Sequence, residues 1–60
     1  MYTLENGRCD IIGFNSDGVI GFYRHSAKPI VFKEYIDAMA FINYLANTGH
    51  CVTDISIEII

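Results

Sequence analysis

The chain is short of basic residues, long apolar runs and recognisable ligand spacings, and each shortage closes off a class of protein. Four of its sixty residues are Lys or Arg against seven Asp or Glu, a formal net charge of −3. Affinity for a phosphate backbone grows with the number of phosphates neutralised, so the charge balance argues against nucleic acid as a partner. The longest apolar run, residues 38–42, is far below the roughly 18–20 residues that a membrane span needs. The opening MYTLENGRCD has neither the basic region nor the apolar stretch of an export signal. A cytoplasmic location is therefore expected, with Cys9 and Cys51 as reduced, partly buried thiols. Gly13, Gly18 and Gly21 lie in or beside strand-like runs, and none opens a helix as a phosphate loop does. Cys9, His25, His50 and Cys51 lack the two-to-four-residue spacing of structural zinc ligands. No cofactor and no metal are expected.

What is present is apolar. Hydrophobic residues make up 52% of the chain and charged residues 18%, and ten residues are Ile, a β-branched type suited to pleated, half-buried surfaces. The chain reads as one domain, 1–60, whose size alone makes it marginally stable. Charge is placed unevenly. No Lys or Arg follows Lys33, while Arg24, Lys28 and Lys33 cluster near His25.

Asn6-Gly7 and Asp17-Gly18 are tight-turn signals, since type I′ turns need positive φ at their central positions. They predict an antiparallel meander of residues 2–5, 8–14 and 19–25. Residues 26–29 read as a loop because Pro29 has no N–H to give to a ladder. Residues 30–32 read as a short strand or an extended lead into a helix over 34–47. Tyr35, Ala38, Phe41, Ile42 and Leu45 supply that helix with a core-facing stripe. Glu34 and Asp37 suit its positive end, and Gly49 suits a left-handed C-terminal cap. Residues 52–60 alternate as a half-buried strand. The fold class is α+β: a small antiparallel sheet, the three-stranded meander plus the C-terminal strand, with one helix packed on one face.

Two-residue turns assign side chains to faces. Tyr2, Leu4, Cys9, Ile11, Ile20 and Phe22 are expected under the helix. Met1, Thr3, Asp10, Ile12, Phe14, Val19, Tyr23 and His25 are expected on the other face, with Phe14 across from Gly21. The second face then carries an apolar strip that a single helix does not cover, and such strips mark interaction surfaces. Self-association is expected through Ile12, Phe14, Val19, Ile57 and Ile59, and contact with another protein through Tyr23, Arg24, His25 and Lys28. On the helix, Tyr35, Met39, Ala40 and Tyr44 broaden the apolar surface beyond one stripe, as a core rim or as a second contact surface.

Asp10 and His25 are placed facing each other across a hairpin, the beginning of an acid–base pair. Ser26, adjacent in sequence to the imidazole, is not a positioned nucleophile, so no catalytic residues are assigned. The layout resembles that of several small phage-encoded inhibitors of host enzymes, a likeness of architecture that carries no motif. The expectation is a small non-enzymatic, homo-oligomeric interaction module that regulates or inhibits another protein. The alternatives are a nucleic-acid-associated regulator using the same basic stretch, and a small enzyme using Asp10 and His25.

Overall fold

A computed structural model describes residues 1–25 and 28–60 of the chain. Among them, strands β1 (Tyr2–Glu5), β2 (Ile11–Phe14), β3 (Ile20–Tyr23), β4 (Lys28–Pro29) and β5 (Ser56–Ile59) form one antiparallel sheet, and α1 (Tyr35–Asn47) is its helix. The sheet order is β3-β2-β1-β5, with β4 paired to β2. The α+β fold holds as expected.

Both turns are longer than the sequence predicts, for one shared reason. The Asn6 side-chain carbonyl accepts the N–H groups of Arg8 and Asp10, each at 2.9 Å, while the Asn6 N–H donates to the Asp10 carbonyl at 3.0 Å. Asn15 does the same with Asp17, Val19 and the Val19 carbonyl. Each Asn thus closes a three-residue loop (Gly7, Arg8, Cys9 and Ser16, Asp17, Gly18) whose last residue is left-handed, Cys9 at φ 64° and Gly18 at φ 79°. A two-residue loop forgoes these side-chain bonds.

The altered loops move the register by an odd number of residues at each hairpin, giving Glu5↔Ile11 and Ile12↔Phe22 in place of the expected pairs. An odd shift exchanges faces. The two shifts cancel at β3, so Ile20 and Phe22 face the helix as expected, and only β2 is inverted. The helix side of the sheet carries Tyr2, Leu4, Ile12, Phe14, Ile20, Phe22, Ile57 and Ile59, all apolar. The outer side carries Thr3, Glu5, Ile11, Gly13, Gly21, Tyr23, Ser56 and Glu58, mostly polar or glycine. The apolar strip expected on the outer face is therefore absent from it. Ile12 is 1% exposed and lies in the core with Leu4, Ala38 and Leu45. Tyr23, not Phe14, lies over Gly21, where a Cβ would stand 3.1 Å from the Tyr23 hydroxyl oxygen.

β1 and β2 pair only near their turn and then diverge. The chain after β3 returns into that fork. β4 pairs with Gly13 and Phe14, the Ile30 N–H donates to the Ile12 carbonyl, and Phe32 exchanges two hydrogen bonds with Tyr2 at 2.7 and 2.8 Å. Pro29 is tolerated there because alternation turns its nitrogen away from β2 when the Ile30 N–H points toward it. The described part of the expected loop, Lys28 and Pro29, is thus a strand; Ser26 and Ala27 lie outside the described residues. Thr3 is only 3% exposed, and its hydroxyl donates to the Ile30 carbonyl at 2.9 Å.

The helix ends as the sequence predicts. Gly49 is left-handed at φ 91°, with His50 N–H donating to the Leu45 carbonyl and Gly49 N–H to the Ala46 carbonyl, which is the Schellman arrangement. Its start is weaker: Glu34 is the N-cap and makes no side-chain cap bond.

Candidate functional site

One helix is narrower than this sheet. With side chains, a helix is about 10–12 Å across, and strands lie about 4.8 Å apart, so α1 covers roughly two strands. The outer strands β3 and β5 each keep apolar side chains at the helix's flank.

On the β3 flank, the chain after the helix folds back over the gap. Ile12, Ile20, Gly21, Phe22, Leu45, His50, Cys51 and Ile55 enclose a hollow of about 130 Å³, well under the roughly 300–1,000 Å³ of ordinary ligand pockets. Beside it an open cleft of about 440 Å³ runs past Asn6, Arg8, Thr53 and Asp54. The Gly7 N–H donates to an Asp54 carboxylate oxygen at 3.3 Å and ties this roof to the first turn. Cys51 Sγ lies 3.2 Å from Thr53 Oγ1. The hydrogen bonds of Thr53, side chain first and then backbone, hold the exposed Cys51 thiol below its ordinary pKa, against slight desolvation and the Asp54 charge. Among the described residues, no three His, Cys, Asp or Glu side chains converge as metal ligands.

On the β5 flank none of the described residues folds back. A groove of about 330 Å³ lies between the helix and β5, lined by Tyr35, Met39, Ile42, Asn43, Ile55 and Ile57. Further along β5, Ile59 is 81% exposed, and Ile60 and Met1 are exposed beside it. The helix itself continues this surface. Its thirteen residues include one charge, Asp37, and its outward side shows Ile36 (73% exposed), Tyr44 (58%), Tyr35 and Met39. A solvent-facing helix side is ordinarily charged or polar.

The residues expected to self-associate do not form one patch. Ile12 is buried, Phe14 is half-buried on the helix side, and Ile57 is half-buried against the core. Val19 is exposed just after the second turn, at the opposite edge of the sheet from Ile59. The four residues expected to contact another protein are also divided. Arg24 and His25 follow β3 on one side of β2, and Lys28 opens β4 on the other. Tyr23 is half-buried and donates its hydroxyl to the Val19 carbonyl at 2.9 Å. Asp10 and His25 do not face each other in register: Tyr23 stands opposite Ile11, so the next step of that ladder pairs Asp10 with Arg24. Tyr35, Met39 and Tyr44 are exposed, as their apolar excess on the helix allows. Ile36 is the addition, and the near absence of charge from the helix is the signal that marks it.

No protein family, curated protein or solved structure matches the chain. No helix among the described residues is long and apolar enough to cross a membrane.

Proposed function

We propose that this chain is a small non-enzymatic protein-interaction module that associates with itself and regulates or inhibits another protein. One observation carries the reading: the apolar surface is spread far beyond what the fold encloses. Among the described residues, the only large side chains below 2% exposure are Leu4 and Ile12, while ten large hydrophobic side chains stand exposed. The accessible surface is 4290 Å², against about 3,950 Å² expected for a folded monomer of this mass. Surface of this kind, continuous over the helix and the β5 edge, is what protein interfaces cover.

Sedimentation equilibrium over a wide concentration range tests the reading. The expected result is a concentration-dependent rise from the 6.8 kDa chain mass to a multiple of it. A 6.8 kDa species at every concentration contradicts self-association.

A further inference from the structure

We infer that a second copy of this chain docks on the outer edge of β5, antiparallel, with Ile57 opposite its own counterpart, joining two sheets into one. The inference rests on the self-association reading and specifies its geometry.

The hydrogen-bond directions of β5 follow from its neighbours. Ile60 N–H donates to the Met1 carbonyl at 3.0 Å, and Tyr2 exchanges its bonds with Phe32 on the opposite side of β1 from β5. The Tyr2↔Ile59 pair is therefore a non-bonded one. By alternation, the N–H and C=O groups of Ser56 and Glu58 turn toward β1, and those of Ile57 and Ile59 turn outward. β5 ends the sheet order, so these outward groups line an open edge, a template for strand addition. Ile55 uses its N–H on the Val52 carbonyl, which leaves its carbonyl as an acceptor.

Charge selects the register. Keeping both helices on one side of a joined sheet requires residues of like face to stand opposite one another. Three central registers meet that condition. Placing Glu58 on the twofold axis sets two carboxylates against each other. Placing Ser56 there sets Glu58 against the second copy's Asp54. Directly opposed like charges destabilise a ladder. Placing Ile57 on the axis avoids both: each Glu58 meets a Ser56 hydroxyl, a pairing whose chemistry already exists within the chain, where Ser56 Oγ donates to Glu58 Oε2 at 2.8 Å. In that register Ile57 exchanges two hydrogen bonds with its counterpart, and each Ile59 N–H meets the other copy's Ile55 carbonyl.

The helix side then closes. Ile55, Ile57 and Ile59 of each copy stand against Ile59, Ile57 and Ile55 of the other. The two β1 strands lie three strand spacings apart, about 14 Å. The helices, which pack over β1, are separated by a gap somewhat wider than the 8–10 Å of direct helix contact. Tyr35 and Met39, which line the open groove on that flank, are long enough to fill it.

The test is sedimentation equilibrium of the wild type with Ile59→Lys, Ile36→Lys and Glu58→Gln, with circular dichroism as a control for folding. Ile59 and Ile36 are among the most exposed side chains, so neither lysine disturbs the monomer core. The expected result is a wild-type dimer, at least tenfold weaker association for Ile59→Lys, little change for Ile36→Lys, and no more than twofold change for Glu58→Gln. A monomeric wild type overturns the self-association reading itself. A dimer dissociated by Ile36→Lys, or one indifferent to Ile59→Lys, overturns the edge docking and leaves self-association standing. Several-fold tightening by Glu58→Gln overturns the Ile57-centred register, because it reports two opposed carboxylates.

Discussion

The two flanks of the helix start from the same deficit and end differently. At both, the sheet extends beyond the helix and presents apolar side chains, Ile20 and Phe22 on β3 and Ile57 and Ile59 on β5. On the β3 flank the Schellman cap at Gly49 reverses the chain, so that His50, Cys51 and Ile55 roof part of the gap, leaving a small hollow and, beside it, an open cleft toward the first turn. On the β5 flank no described segment returns, and the groove stays open beside a strand that carries Ile59 at 81% exposure. A small fold has enough chain to finish one side of a sheet that is wider than its helix. The unfinished side is where the proposed second copy docks.

Three tests break or sharpen this contrast, in order of decreasing effect. Phe22→Ala removes a side chain that packs against the core under the roof and lowers stability by about 2 kcal/mol, less than the 3–5 kcal/mol of a fully buried ring. Ile59→Ala, its counterpart on the open flank, leaves monomer stability within about 0.5 kcal/mol. Denaturant titration at concentrations where the chain is monomeric compares the two, and equal losses would erase the distinction between flanks. Gly49→Ala places a Cβ on a left-handed residue and destabilises by about 1 kcal/mol. No atom lies within 4 Å of that Cβ, so the cost is conformational, and Gly49→Asn should recover part of it in thermal melts. Cys9→Gly works in the favourable direction. Cys9 is the non-glycine residue with positive φ among those described, and relieving it should stabilise by about 0.5 kcal/mol after the added chain entropy of glycine. Its turn holds the roof through Gly7 and Asp54, so the gain belongs to the closed flank.

The fold class, the helix and its glycine cap were legible because each rests on local signals: a 3.6-residue stripe, a first-turn acid, and a Gly after the last turn. The face of β2 was not legible. Asn6-Gly7 and Asn15-Ser16-Asp17-Gly18 suit a two-residue or a three-residue loop equally well as sequence. The choice is made by each Asn side chain capping two backbone amides, and one residue of difference moves Ile12 from the outer face to the core. β4 was hidden by its proline, whose missing donor matters only on the side that pairs. The candidate site was legible in its parts and not in its assembly. Ile57 and Ile59 and the apolar breadth of the helix are visible in sequence, but the join between them depends on β5 lying at the edge beside β1. The basic stretch looked continuous in sequence and is divided by β2.

Amide hydrogen exchange at the two open edges tests the central claim most directly. By the bond directions of the ladder, the amides of Ile57 and Ile59 face out from β5 and that of Phe22 faces out from β3. As protein concentration rises through the association range, the amides of Ile57 and Ile59 should become protected while that of Phe22 does not change. Protection at Phe22, or none at Ile57 and Ile59 while the chain sediments as a dimer, would contradict it.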